Sequence, residues 1–342
     1  TVVVKHVTLQ NSPDWTLHVR GSSNVVLSGL HIRGDWRFPN NDGVDLDSCH
    51  NVTLANSTIF TADDAICIKT TVGYGTTENI LAVNNVVQSR SSAFKIGSST
   101  QENVTDVFVD GLRIRAGSNR GIAIQHRDAG TISKIHIRNV IIEALELQPR
   151  EWWGTGEAIY ITSTPRYNSS WPLGRLLRIT LENIRADSVP GTSFVSSRPS
   201  GDHKSSSTST STISKIVMVD VKLCMNNNAL DTSITSEAIY EMPSKDYRPT
   251  TIEPEIESFP LDTLIGLYIE GIVTNASDLL PTGVEFQDCS ISFSPKTTSA
   301  AKMRTSDTAV GIASSQRQVC VEGVSSRHPS GLTCRKESYC DF

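Results

Sequence analysis

The chain has 342 residues, of which 38% are hydrophobic and only 6% aromatic, so its core must be built mainly from Val, Ile and Leu. No apolar run approaches the roughly 18 residues that a membrane span requires, so we expect no membrane insertion. The formal net charge of -5 argues against nucleic acid as a partner, and we expect a mildly acidic, soluble monomer.

Internal repetition organises the chain. Similar short segments start at residues 24, 51 and 79, spaced by 27 and 28 residues, and a second family of strand-like segments interleaves with them. Two or more short β runs per repeat, with no helical periodicity between them, predict the coils of a parallel β-helix. A propeller blade needs about 40 residues or more, and the LxxLxL pattern of a leucine-rich repeat is absent.

We therefore predict one all-β domain over residues 1–342. Val44, Ala65, Ala93 and Ile122 are expected at equivalent places on successive turns of one sheet. The weakly patterned, Cys-containing segment 295–342 is expected to cap the solenoid. Insertions at 148–156, 196–214 and 241–260 are predicted as surface loops. Because the chain opens in strand-like sequence, further N-terminal coils are expected before residue 1.

Two acidic clusters precede neighbouring strand-like runs. The first ends in Asp42, before the run 44–49, and the second is the pair Asp63-Asp64, before the run 65–70. If these runs are adjacent in one parallel sheet, Asp42 is expected about 4.8 Å from Asp63. Carboxylates this close repel, so one should have a raised pKa, as a paired acid and base require. The alternative is that these residues only form turns between coils.

The motifs NND-G-VD, ADD-AICIK and SSAFKIGS resemble those of glycoside hydrolase family 28, the polygalacturonases and their relatives. That family's pattern runs N-T-D-G-x-D, then D-D, then G-H-G-x-x-x-G-S, then R-I-K, on successive coils. The resemblance covers residues 1–190 well. It implies a right-handed parallel β-helix (a pectin-lyase-like solenoid), a polysaccharide substrate, and no cofactor or metal.

The resemblance also implies roles for individual residues. Asp63 would be the general acid, while Asp42 and Asp64 would share the activation of water, which gives inversion. The residues expected to contact substrate around these acids are Asn40, Asp45, Lys69, Ser92, Lys95, Arg120 and Gln125.

Two departures from the family pattern predict a substrate other than plain polygalacturonate. Ser92 stands where the family has the histidine of G-H-G, and residues 123–125, Ala-Ile-Gln, stand where it has R-I-K. The two cations that would hold a galacturonate carboxylate are thus replaced. Lys69, Lys95 and Arg120 either serve a displaced acidic or sulfated subsite or are solvated surface charges.

Three further features leave alternatives open. Trp152 and Trp153 either stack on sugar or anchor a loop, and His126 is expected to be a packed or surface histidine rather than a catalyst. Cys49 and Cys67 lie at neighbouring strand ends, where they could form a disulfide if the geometry allows.

Cysteine placement and glycosylation sequons favour a secreted, disulfide-bonded glycoprotein. Three of the seven cysteines fall in the last 23 residues, and five asparagines open N-x-S/T sites: Asn51, Asn56, Asn103, Asn168 and Asn275. Two functions compete with the hydrolase: a polysaccharide lyase, in which a Lys or Arg base works beside calcium-binding carboxylates, and a non-catalytic carbohydrate-binding β-helix.

Overall fold

A computed structural model describes residues 1–148, 152, 154–165, 173–191, 193–197 and 213–226, and the backbone of short strands between residues 267 and 326. Among these residues no helix is long and apolar enough to cross a membrane. Several sequence predictions lie outside the described residues: most of the loop at 196–214, the loop at 241–260, Trp153, two sequons, and the four cysteines from Cys289 onward.

The described secondary structure consists of β-strands. In chain order they are β1 (Val2–Lys5), β2 (Thr8–Gln10), β3 (Leu17–Arg20), β4 (Ser23–Ser28), β5 (His31–Arg33), β6 (Val44–Asp47), β7 (His50–Ala55), β8 (Thr58–Thr61), β9 (Ile66–Thr70), β10 (Thr77–Val83), β11 (Val86–Ser89), β12 (Ser92–Thr100), β13 (Val104–Ile114), β14 (Arg120–His126), β15 (Ile132–Ala144), β16 (Ile159–Ser163), β17 (Leu176–Val189), β18 (Ser193–Ser197), β19 (Ile213–Met225), β20 (Leu267–Glu270), β21 (Val284–Gln287), β22 (Ser290–Phe293), β23 (Ile312–Ala313), β24 (Gln318–Val319) and β25 (Val324–Ser326).

Two long parallel sheets wind along the chain. Fourteen strands form the first sheet, and nine form the second, in the order β25-β20-β18-β16-β14-β12-β9-β6-β3. Each early coil adds two strands to the first sheet and one to the second, whereas β13, β15, β17 and β19 each replace the two first-sheet strands by one long strand. The all-β parallel β-helix that the repeats predicted is confirmed. Crossover connections between parallel strands of one sheet are right-handed as a rule.

Asparagines turn the chain where three of the early coils enter the first sheet. Asn24, Asn51 and Asn79 have φ values of 57, 53 and 55°, a left-handed conformation that Asn tolerates better than most residues. The side-chain amides also form a ladder, with Asn51 donating to Asn24 at 3.2 Å and Asn79 donating to Asn51 at 3.1 Å. Another left-handed residue, Asn56 (φ 52°), separates β7 from β8.

The register of the second sheet corrects the sequence prediction by one residue. Val44, Ala93 and Ile122 lie on strands of one sheet, and Ala65 directly precedes β9 of that sheet. The observed pairs, however, are Val44 with Ile66, Ile66 with Phe94, and Phe94 with Ile122. The residues aligned with Val44 and Ile122 are therefore Ile66 and Phe94, and Ala65 and Ala93 each precede them by one residue. Large inward-facing side chains fix this register, because a slip of one residue would turn every core side chain outward.

The core between the sheets is a stack of aliphatic side chains. Val44, Ile66, Phe94 and Ile122 are each at most 1% exposed. Burying one such side chain contributes roughly 1.5–3 kcal/mol. The alternate positions of the same strands point out of the solenoid and form a second ladder, Asp45, Cys67, Lys95 and Ala123. This outward ladder is the floor of the candidate active site.

Candidate active site

Asn41 joins the two acidic turns. Its Oδ1 accepts hydrogen bonds from the backbone N–H groups of Ala62 at 2.9 Å and Asp63 at 3.1 Å, and its Nδ2 donates to the carbonyl oxygen of Asp35 at 2.8 Å. A carboxamide can do this because it carries both an acceptor and donors. These bonds hold the turn before β6 against the turn before β9. Sequence analysis gave Asn41 no role, although its place beside Asp42 in the motif was a signal.

Gly43 allows the acid-bearing strands to approach each other closely. A Cβ at this position would clash with the Ile59 side chain and lie 2.5 Å from the carbonyl oxygen of Ala65. Any larger residue would therefore push β6 away from β9 and move the carboxylate of the preceding Asp42.

The carboxylates of Asp42, Asp63 and Asp64 lie together in the turns that precede β6 and β9. The observed register places Asp42 opposite Asp64, because Val44 pairs with Ile66 two residues later. The prediction that Asp42 lies directly opposite Asp63 is therefore wrong. Carboxylate oxygens of Asp42 and Asp64 lie within 4.8 Å of each other. Asp42, Asp63 and Asp64 are only 3%, 8% and 3% exposed, which makes their mutual repulsion poorly screened.

Asp64 accepts more hydrogen bonds than either of the other two acids. The Nζ of Lys95 donates to its Oδ2 at 2.7 Å, and Oδ1 accepts from the Ser91 hydroxyl at 3.2 Å and the Ser92 N–H at 3.1 Å. Burial on its own would raise the pKa of Asp64, but the charge and hydrogen bond of Lys95 outweigh it and lower the pKa. Asp64 is therefore held as a carboxylate.

Asp63 has a different environment. Its two oxygens accept backbone hydrogen bonds, from the N–H of Asn40 at 3.1 Å and from the N–H of Asp64 at 2.8 Å. Burial and the adjacent negative charge of Asp64 raise the pKa of Asp63 despite these bonds. A carboxyl with a raised pKa beside an ionised one is the arrangement that a general acid requires.

Asp42 and Asp45 share one lysine. The Nζ of Lys69 donates to Oδ2 of Asp42 at 3.3 Å and lies 2.6 Å from Oδ1 of Asp45, without the alignment of a hydrogen bond at the latter. Trp15 covers the lysine, with Nζ 3.6 Å from its ring centroid. Burial, followed by the charge of Asp63, raises the pKa of Asp42 well above its usual value. Asp42 is thus a second protonated carboxyl candidate in the cluster.

The residues that replace the family's G-H-G and R-I-K positions lie on the same face. Ser92 is 1% exposed, and its Oγ makes no hydrogen bond with any described residue. Ala123 pairs with Lys95 on the outward ladder, and Gln125 pairs with Gly97 and is 4% exposed. This part of the floor presents a hydroxyl, a methyl group and a carboxamide.

Arg120 is buried in an ion pair. It is 1% exposed, and its Nε and Nη2 donate to the two carboxylate oxygens of Glu157 at 3.1 and 3.2 Å. The guanidinium also lies 3.6 Å from the ring centroid of Tyr160, and Thr155 donates to Glu157 through its N–H at 2.8 Å. Sequence analysis gave Glu157 and Tyr160 no role, because their contacts with Arg120 depend on the conformation of the chain after the insertion at 148–156, which repeat spacing does not specify.

Trp152 and His126 are both packing residues in the structure. Trp152 is 6% exposed, and the guanidinium of Arg90 lies 4.8 Å from its ring centroid, as expected for a loop anchor. His126 is fully buried, with Nδ1 2.8 Å from the Ser163 hydroxyl and Nε2 2.7 Å from the Gly130 carbonyl oxygen. Burial lowers the pKa of His126 to about 4.

Cys49 and Cys67 are separate buried thiols and do not form a disulfide. Cys67 lies within 4.8 Å of carboxylate oxygens of Asp42 and Asp64, so these three residues could supply metal ligands. Two features oppose a metal here. Burial raises the pKa of the Cys67 thiol well above its usual value, and Lys95 already neutralises Asp64 at 2.7 Å. A cation would have to displace that ammonium group.

Comparison with known proteins gives consistent matches. The family model for glycosyl hydrolases family 28 matches residues 1–149. A probable polygalacturonase of Vitis vinifera is 26% identical over 171 residues, covering 45% of this chain and 33% of the relative. An endo-polygalacturonase of Pectobacterium carotovorum subsp. carotovorum is 31% identical over 140 residues, covering 40% of this chain and 34% of the relative.

Among solved structures, an exopolygalacturonase from Thermotoga maritima is similar with a TM-score of 0.48 and 20% identity, covering 66% of this chain and 48% of that one. The chain spans about a third of the length of the two relatives above, at 33% and 34%.

Proposed function

We propose that the protein is an O-glycosyl hydrolase that cleaves glycosidic bonds of a polysaccharide, because the family model for glycosyl hydrolases family 28 matches residues 1–149. One observation supports this most strongly. The Lys95 ammonium lowers the pKa of Asp64 against the effect of burial, while burial raises the pKa of Asp63 and Asp42. The cluster can therefore hold a carboxylate and a carboxylic acid side by side.

The proposed reaction uses this difference. The carboxyl proton of Asp63 passes to the oxygen of the leaving sugar as the glycosidic bond breaks. Asp64, with Asp42 beside it, accepts a proton from the water that attacks the anomeric carbon. The cluster returns to its starting state when the proton gained from water is redistributed to Asp63.

Inversion is supported by the grouping of the acids. Inverting enzymes separate the acid and base carboxyls by about 6.5–9.5 Å, to leave room for water, whereas retaining enzymes need about 5–5.5 Å. Oxygens of Asp42 and Asp64 lie within 4.8 Å of each other, which suits two groups that hold the same water. The acid would then act from Asp63, on the other side of the scissile bond.

We further propose that the substrate is not plain polygalacturonate. Ser92, Ala123 and Gln125 offer no cation where the family pattern has a histidine, an arginine and a lysine. The nearby cations are committed to carboxylates, Lys95 to Asp64 at 2.7 Å and Arg120 to Glu157 at 3.1 Å. A galacturonate carboxylate would lose charge-assisted hydrogen bonds worth about 1.5–3 kcal/mol each.

A lyase is the main competitor. Its base would have to be a lysine or arginine that can give up its proton near neutral pH. Although burial acts in the opposite direction, the negative charge of Asp64 raises the pKa of Lys95, which opposes this role. The setting in which the enzyme works is part of the proposal: a secreted, monomeric glycoprotein that contacts polysaccharide and neither nucleic acid nor membrane.

A panel of plant and microbial polysaccharides tests the proposal. The hydrolase should release new reducing ends without forming an unsaturated sugar that absorbs in the ultraviolet. An unsaturated product would identify a lyase, and binding without cleavage would identify a carbohydrate-binding β-helix. Either result would overturn the proposed reaction.

A further inference from the structure

A groove on the first sheet is lined by none of the acids of the cluster and is used by no step of the proposed reaction. It has a volume of about 430 Å³, and its lining, from β2, β5, β8, β11 and the turn after β5, includes Gln10, Arg33, Trp36, Phe60 and Gln88. This volume falls in the range of about 300–1,000 Å³ that small-molecule sites occupy.

The sheet register sets the chemistry of the groove floor. Gln10 pairs with Arg33, Arg33 with Phe60, and Phe60 with Gln88 on successive strands. Neighbouring side chains on this outward ladder are therefore about 4.8 Å apart. Trp36 adds a second aromatic ring to the lining. The floor thus presents a guanidinium, an aromatic ring and two carboxamides in a row.

Among the described residues, the Arg33 side chain has no hydrogen-bond or ion-pair partner, although its backbone carbonyl accepts a bond from the N–H of Asn11 at 3.0 Å. The side chain is exposed. The acid closest to it in sequence, Asp35, accepts instead from Nε of Arg37 at 2.9 Å. On later coils of the same face, Glu143 neutralises Arg113 at 2.7 Å, and Asp187 neutralises Arg185 at 2.7 Å. The Arg33 guanidinium in the groove is therefore available to bind an anionic group of a ligand.

These features fit one class of ligand. A guanidinium binds a planar carboxylate through two parallel hydrogen bonds. Aromatic rings pack against the apolar C–H face of a pyranose, and carboxamides bind hydroxyl groups through both donors and acceptors. We propose that this groove is a second saccharide-binding site that takes a uronate unit of an acidic polysaccharide. It would hold the polymer on the solenoid while another part of the chain enters the acidic cluster.

The inference rests on the polysaccharide partner of the proposed function but not on its hydrolytic chemistry. Binding is therefore measured on full-length Asp63→Asn protein, which should not degrade the probe, by affinity electrophoresis in gels containing polygalacturonate. The same gels with methyl-esterified polygalacturonate supply a probe of similar backbone without the charge.

The proposal predicts that Arg33→Ala weakens binding to polygalacturonate about tenfold, the loss expected for one charge-assisted contact. Arg33→Lys should recover only part of the affinity, because lysine keeps the charge but lacks the planar fork. Phe60→Ala should also weaken binding, in protein whose circular dichroism matches that of the parent. Arg185→Ala is the matched control, since Arg185 is an exposed arginine on a later coil of the same face, paired with Asp187 at 2.7 Å.

Three results would overturn the inference: no retardation of the parent by polygalacturonate, equal retardation by the esterified probe, or equal losses in Arg33→Ala and Arg185→Ala. The reducing-end assay on the unmodified chain is separate from these gels. A failure of hydrolysis with Arg33-dependent binding would reject the proposed reaction and keep the groove, and the converse would reject only the groove.

Discussion

The Nζ of Lys95 lies 2.7 Å from Oδ2 of Asp64, and this contact makes Asp64 different from the other acids of the cluster. Lys95 lies on β12, and Asp64 lies in the turn that precedes the neighbouring strand β9. Both are largely buried, with side chains 12% and 4% exposed. In a site with so little water, the position of one ammonium group decides which carboxyl is ionised.

Replacing Lys95 should therefore move the pH dependence of catalysis. Lys95 lowers the pKa of Asp64, so Lys95→Met should raise that pKa and shrink the carboxylate fraction at any given acidic pH. The acidic limb of the kcat/KM profile should shift to higher pH. Lys95→Arg should keep most of the parent profile. An unmoved acidic limb in Lys95→Met would show that Lys95 does not control the base.

The acid and the water-activating residues should differ in their dependence on the leaving group. Asp63→Asn should lose most activity on the natural polymer but keep more on an activated aryl glycoside, which needs little protonation. Asp42→Asn and Asp64→Asn should lose activity on both substrates alike, because water must be activated in each case. Equal losses on both substrates for Asp63→Asn would mean that Asp63 is not the acid. In that case Asp42, whose pKa burial also raises, becomes the candidate.

Lys69 should be important for stability. Lys69→Met removes the partner of both Asp42 and Asp45 from a buried site, and leaving buried charge uncompensated costs about 3–5 kcal/mol in the free energy of unfolding. Lys134→Met is the control, since its pair with Asp106 is exposed and should be worth less than about 1 kcal/mol. Urea unfolding measures both. Similar small losses in the two variants would contradict this account of Lys69.

His126 should make the fold sensitive to mild acid. Burial lowers its pKa to about 4, below the value of about 6.5 expected in the unfolded chain, so the unfolded state binds the extra proton between these values. The contribution is fully present above pH 6.5 and is lost as the pH falls to about 4, a change of roughly 3 kcal/mol in the free energy of unfolding. His126→Gln should flatten this slope. An unchanged slope in that variant would assign the acid sensitivity to other groups.

The sequence predicted the fold well because its repeats encode it directly. Alternation of Val44, Leu46 and their counterparts marks strands, and the asparagines at 24, 51 and 79 mark the turns. Register was one residue off at Ala65 and Ala93, because a small side chain at a strand start fits either the corner or the sheet. That slip placed Asp42 opposite Asp63, whereas the structure pairs it with Asp64.

The partners of the acids were harder to predict. Lys95 was recognised as a cation near the site, but its pairing with Asp64 depends on the correct register and on the reach of its side chain. Asn41 and Glu157 act through turns whose path no repeat specifies. Long-range contacts made by loop residues depend on loop conformation, which spacing alone does not give.

The most direct test of the central claim measures reducing-end release from the best polysaccharide of a panel by the parent protein, Asp63→Asn and Asp64→Asn. The account predicts release by the parent and a loss of about 10²–10⁴-fold in each variant, with thermal unfolding confirming that both variants remain folded. Folded variants that release reducing ends at the parent rate would contradict the claim that this acidic cluster hydrolyses glycosidic bonds.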